Sequence, residues 1–167
     1  MKIDRRALFG LFGAGAVGGG TLLFSRGAGA APGAFPVRHS DAEWRRRLSA
    51  DQYSVLREGH TERAGSSPLD REHRRGTFAC AGCGNRLFAS AAKFDSGTGW
   101  PSFFRPLPGG VGTRADNTLF MRRTEVHCAR CGGHLGHVFN DGPRPTGLRY
   151  CMNGVAMTFA PAAGVAS

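Results

Sequence analysis

Nothing in this 167-residue chain repeats: no segment recurs at a fixed interval and no heptad of apolar residues runs along it, so solenoid and coiled-coil architectures are excluded. The length leaves little room for a second core beside the first. Basic charge is not gathered into one run either, although the formal net charge is +10; "EWRRRL" at 43–48 and "EHRRG" at 72–76 are only local concentrations. A nucleic-acid partner therefore does not follow from charge, and these arginines read as solvated faces of a protein. A sixth cysteine is also missing. Five is an odd number, so at least one thiol stands outside any pairing.

The first thirty residues differ from the rest. A short charged stretch leads into an uncharged apolar run from Ala7 to Phe24, and Ala28-Gly29-Ala30 follow, which is the three-part layout of an export signal. Arg5 and Arg6 at the junction, with Leu8 and Phe9 just after, resemble the twin-arginine type. Six glycines in the eighteen-residue run disfavour a permanent spanning helix, each costing about 1 kcal/mol against alanine. The expectation is a cleaved signal over 1–30, a domain over 31–167 located outside the cytoplasm, and no stable membrane span. Removing Lys2, Arg5, Arg6, Arg26 and Asp4 leaves 18 basic and 11 acidic side chains, a net +7.

After the linker-like "APGAFPVRH" (31–39), Ser40 and Ser49 each precede a Glu43 or Gln52 by three residues, the capping-box signature, so two short helices are predicted. Trp44 and Leu48, then Tyr53 and Leu56, give each an apolar stripe for the core. Residues 60–76 are polar and broken by Gly65 and Pro68, a loop. Beyond them "GTFAC", "NRLFAS", "NTLFMRRTEVHC", "HLGHVFN" and "LRYCMNGVAMTFA" have strand composition, so the domain reads as mainly antiparallel β with small helices at its start.

Four of the cysteines fall into two CxxC pairs, Cys80/Cys83 and Cys128/Cys131, 44 residues apart, with glycines at 82, 84, 132 and 133. Two such turns can converge on one ion, and four sulfurs at about 2.3 Å satisfy a tetrahedral structural zinc. Two structural disulfides or a pair of redox-active dithiols are the competing readings. A redox CxxC normally opens a helix beside a strand, and neither of these does. Closed coordination would leave such a metal no place for substrate.

Cys151 remains. A lone cysteine is most often a small buried hydrophobe, but "HLGHVFNDGPRPTGLRYCMNG" puts two histidines, an aspartate, an arginine and an asparagine around it on one predicted strand-turn-strand unit. Cationic and histidine-rich surroundings lower a thiol pKa, so an activated thiol is expected. The stretches "SSPL", "CAGC", "KFDSGTGWPSF", "RTEVHCARCGGHLGHVFNDGP" and "TGLRYCMN", in that order over about residues 39–159, resemble the B-type methionine sulfoxide reductases, zinc-containing enzymes specific for the R epimer.

That resemblance implies two small antiparallel sheets stapled by a four-cysteine zinc site, with Cys80, Cys83, Cys128 and Cys131 as ligands. It also implies Cys151 as the nucleophile that becomes a sulfenic acid, acting on free or protein-bound methionine sulfoxide; a monomer is expected, with export resting on the N-terminal segment. The sulfoxide oxygen needs a proton donor, for which His137 comes first, then His134, Asp141 and Asn153. An apolar wall for the S-methyl group would come from Trp100, with Phe139 beside it. Each also has a plainer role open to it: packing for Trp100 and the histidines, a turn for Asp141, a strand cap for Asn153.

The chain departs from the pattern at Thr98, where many relatives carry a second catalytic cysteine, at Gly154 in place of serine, and along "NTLFMRR". With no thiol left over, the sulfenic acid would depend on an outside thiol reductant such as thioredoxin. Two other functions compete: a zinc-stabilised binding module, and a thiol-disulfide oxidoreductase using one CxxC pair.

Overall fold

A computed structural model describes residues 35–117 and 122–163; the export-signal expectation for residues 1–30 and the domain start at residue 31 lie outside them. Both capping boxes form. Ser40 opens α1 (Asp41–Arg47) and Ser49 opens α2 (Ala50–Glu58), each serine hydroxyl accepting the backbone N–H three residues on while Glu43 or Gln52 reaches back. Each helix thus satisfies two orphan donors from its own sequence. Gly59, at φ +75°, ends α2 in a left-handed conformation that only glycine adopts at little cost. Trp44, Leu48, Tyr53 and Leu56 are all buried, so the two predicted stripes do face the core. Among the described residues no helix is long and apolar enough to cross a membrane.

The rest is antiparallel β. One sheet has three strands in the order β2 (Arg86–Ala89), β1 (Gly76–Cys80), β9 (Met157–Pro161). The other has six: β3 (Lys93–Phe94), β4 (Ser102–Phe103), β8 (Arg149–Met152), β7 (His134–Phe139), β6 (Arg123–Cys128) and β5 (Val111–Asp116). Phe78 of β1 and Phe88 of β2 meet Phe103 of β4, edge-on at 5.0 Å and stacked at 4.2 Å between centroids. All three are fully buried, so the core lies between the sheets, each ring contributing roughly 1.5–3 kcal/mol.

Several strand assignments change, and the two-residue strands β3 and β4 lie in none of the predicted runs. The run 148–160, one strand by composition, is two: β8 in the large sheet and β9 in the small one, joined by a 3-10 turn at Gly154–Ala156. The predicted strand over 117–128 begins at Arg123 as β6, and residues 118–121 of that stretch lie outside the description. The strand β5 was not foreseen, because as a sheet edge it carries Arg114 and a largely exposed face instead of an apolar alternation. The linker-like start is not loose where it is described: Val37 donates its N–H to the Arg130 carbonyl at 2.8 Å.

Gly136 fixes how closely β7 approaches β8. A β-carbon there would collide with the carbonyl oxygen of Cys151 and press on the Met152 backbone. Gly136→Ala is therefore expected to cost about 1–3 kcal/mol in a urea unfolding experiment; an unchanged midpoint would show that the two strands can part freely.

Candidate functional site

The two CxxC pairs occupy the turns of two hairpins. Cys80–Cys83 links β1 to β2, and Cys128–Cys131 links β6 to β7, so one pair hangs from each sheet. All four sulfurs lie within 4.8 Å of one another. The cross-hairpin separations are 3.7 Å for Cys80–Cys131 and 3.5 Å for Cys83–Cys128. Four sulfurs about 2.3 Å from a central ion would stand about 3.8 Å apart, so the spacing fits a closed tetrahedral metal site. These distances are too long for S–S bonds, and all five cysteines are free thiols. The four thiols divide their protons unequally: hydrogen bonds among them push Cys128 far down and Cys83 down, and push Cys80 and Cys131 up.

The surroundings hold the sulfurs in place. Asn85 donates from Nδ2 to the Gly110 carbonyl at 2.9 Å and lies 3.7 Å from the Cys128 sulfur, while Arg57 of α2 donates to the Cys131 carbonyl at 3.1 Å. Trp44 and Leu56 lie against Gly82 of the first turn. The helices thus serve as a cover for the cluster, the outer support that metal ligands require.

Cys151 is outside that cluster. It sits on β8, paired with His137 of β7 on one side and Ser102 of β4 on the other, so the three side chains share one face of the sheet. A cleft of about 180 Å³ opens on this face, lined by Cys151, Trp100, His137, Phe139, Asn153, Thr61, Gly136 and Arg123. Five of the sequence-predicted site residues meet here: Cys151, His137, Asn153, Trp100 and Phe139.

Their partners fix their geometry. His137 holds Asp116 with Nε2 2.7 Å from Oδ2, and Asp116 also takes the Arg123 guanidinium at 2.9 Å. The carboxylate selects the tautomer with a proton on Nε2. Trp100 donates its indole N–H to the Glu62 carbonyl at 3.2 Å, which stands the ring up as a wall. Asn153 is buried at 2% exposure; its side chain accepts the Glu62 N–H at 2.9 Å and donates to the Leu135 carbonyl at 3.1 Å. It ties the 60–67 loop to β7 and to the end of β8.

Two predicted residues stand outside the cleft lining, although the His134 ring packs edge-on against that of His137 at 5.4 Å between centroids. His134 is buried one groove away, with Nδ1 2.8 Å from Glu125 Oε1; burial lowers its pKa more than Glu125 raises it, so the ring is neutral. Asp141 is exposed and forks onto Arg149 at 2.9 and 2.8 Å, reaching the cleft only through that guanidinium. Arg149 in turn lies over the Phe139 ring, 4.5 Å from its centroid.

The expected depression of the Cys151 pKa is reversed. Burial pushes the thiol up, and the Thr98 hydroxyl and the Arg149 charge pull against it without overcoming it. The sequence displays cationic neighbours but not the desolvation of the half-buried sulfur between β4 and β7.

Three contributors were missed. Arg123 ends the "NTLFMRR" stretch and Asp116 precedes it, where the departure from the family pattern was the available signal. Thr61 had none: it lies in a polar loop whose position comes from Glu62, the carboxylate of which accepts the Gly154 and Val155 N–H groups at 2.6 and 2.9 Å.

Comparison with known proteins agrees with this geometry. A family model described as the SelR domain matches residues 48–161. The peptide methionine sulfoxide reductase MsrB of Bradyrhizobium diazoefficiens is 58% identical over 126 residues, 75% of this chain and 91% of the relative. That of Agrobacterium fabrum is 54% identical over 126 residues, 75% of this chain and 93% of the relative. That of Leptospira interrogans is 49% identical over the same length, 75% and 96%. With two thirds of its length inside the family model and about half of its aligned residues identical to those of these enzymes, the chain belongs to the SelR-domain family.

Proposed function

We propose that this protein reduces the R epimer of methionine sulfoxide, free or within oxidised proteins, with Cys151 as nucleophile and an outside thiol as the source of electrons. The observation that carries the reading is a single free thiol at the floor of a cleft walled by Trp100 and Phe139, with His137 on the neighbouring strand. It is supported by the family membership and by the names of the relatives.

The aromatic rings would take the S-methyl group, leaving the sulfoxide oxygen towards His137. The Cys151 proton passes by way of the imidazole, whose Nε2 proton stays directed at Asp116, to the sulfoxide oxygen while the thiolate attacks the sulfoxide sulfur; the oxygen ends on Cys151 as S–OH and the thioether departs. Two electrons pass from the cysteine sulfur to the methionine sulfur. One reductant thiol then attacks S–OH, releasing water and leaving a mixed disulfide, and a second thiol frees Cys151. Thioredoxin or a similar dithiol would supply both. Asp116 holds the imidazole, and Asn153 keeps the loop bearing Thr61 in place.

For the metal we infer one structural zinc on Cys80, Cys83, Cys128 and Cys131, a set of thiolates suited to that ion and closed to substrate. When bound it cross-links the two sheets. The twin-arginine-type segment supports export, and the folded, metal-loaded form is the one such a route would carry. A binding module without chemistry leaves the half-buried thiol beside His137 unexplained.

Purified protein with each epimer of a methionine sulfoxide and a small dithiol should consume the R form only; equal loss of both, or of neither, would overturn the assignment. Cys151→Ser should abolish turnover and retain zinc, whereas Cys80→Ser should lose zinc and unfold, both read by metal analysis and circular dichroism. Because burial raises the thiol, the iodoacetamide rate at the Cys151 peptide should keep climbing through about pH 9. A plateau already reached at neutral pH would contradict that sign.

A further inference from the structure

The position where many relatives carry a second cysteine does not stand idle in this chain. Thr98 Oγ1 lies 3.8 Å from the Cys151 sulfur and 2.8 Å from Ser96 Oγ, and Ser96 Oγ lies 2.7 Å from Ser102 Oγ. Ser102 Oγ is 3.0 Å from the Trp100 carbonyl. Thiol and hydroxyls run as one chain that ends on a carbonyl.

A count of protons gives that chain a direction. The carbonyl only accepts, so Ser102, which is fully buried, uses its single proton there. Ser96 must then donate to Ser102, Thr98 to Ser96, and the Cys151 S–H to Thr98. Every proton has an acceptor in this polarity, and Cys151 is a thiol. Once Cys151 loses its proton to solvent or to a bound substrate's oxygen, the sulfur can only accept. Arg149 and Ser102 also reach it, and Thr98 joins them by rotating to donate to it and giving up Ser96.

We propose that Thr98 is a positioning residue whose hydroxyl switches from accepting the Cys151 proton to donating to the thiolate, and that Ser96 opposes this switch by competing for the same proton. The proposal rests on the reading of Cys151 as the nucleophile and explains how a thiol without cysteine neighbours is kept protonated at rest yet stabilised when it ionises. Thr98 thus governs the thiolate fraction, where a cysteine at this position would act as a redox partner.

The consequence is a pair of opposite shifts. Thr98→Val keeps the shape and removes the donor, so the Cys151 titration midpoint should rise by about one unit. Ser96→Ala removes the competitor, so Thr98 is free to serve the thiolate and the midpoint should fall by roughly half a unit. Both are read from the pH dependence of iodoacetamide labelling at the Cys151 peptide, on metal-loaded protein whose melting temperature shows it folded. Opposite signs support the switch; shifts of the same sign, or an unmoved midpoint in either variant, overturn it. Labelling needs no sulfoxide, so the result stands apart from the epimer assay, whose failure would instead remove the proposed activity.

Discussion

The convergence of four thiols from two hairpin turns is the contact on which the rest of the molecule hangs. Cys80 and Cys83 close the β1–β2 hairpin of the small sheet, and Cys128 and Cys131 close the β6–β7 hairpin of the large one. The sulfurs therefore join the sheets at one end while Phe78, Phe88 and Phe103 join them in the middle. Binding free energy at a closed thiolate site is folding free energy, on the order of 10 kcal/mol, comparable with the whole net stability of a domain. A protein of this size with a modest core gains from such a tie more than a larger one would. The helices follow the same logic, since Trp44, Leu56 and Arg57 all rest on the cysteine turns.

Division of labour among the cysteines follows from where the strands run. The four paired thiols sit in turns, where backbone N–H groups and glycines let two sulfurs face one point. Cys151 sits mid-strand, flanked by β4 and β7, where neighbouring side chains and not another sulfur meet it. Burial there pushes the thiol pKa up, and the Thr98 hydroxyl and the Arg149 charge pull the other way.

Features that depend on local chemistry were legible in the sequence. Ser40 with Glu43 and Ser49 with Gln52 name their helices outright, and the CxxC spacing names its cluster. Cys151, His137, Asn153, Trp100 and Phe139 were gathered by motif and are gathered in space. What escaped depends on contacts between segments remote in the chain. Asp116 supports His137 from an edge strand with no apolar pattern, and Thr61 reaches the cleft because Glu62 is bonded to residues 153–155. His134 and Asp141 look like close neighbours of Cys151 in the sequence, but β7 carries one into an adjoining groove and the loop after it turns the other to solvent. The sign of the Cys151 shift was lost for a related reason: charge can be counted along a chain, whereas desolvation requires knowing what lies on either side.

The stretch from Arg149 to Pro161 crosses from one sheet to the other through a single 3-10 turn. The sulfur proposed as nucleophile and the seam of the fold are thus borne on one short piece of backbone. Loosening of the small sheet would be transmitted along that piece and misalign the thiol before the domain as a whole came apart, so catalytic competence would act as an early gauge of damage to the protein's own architecture.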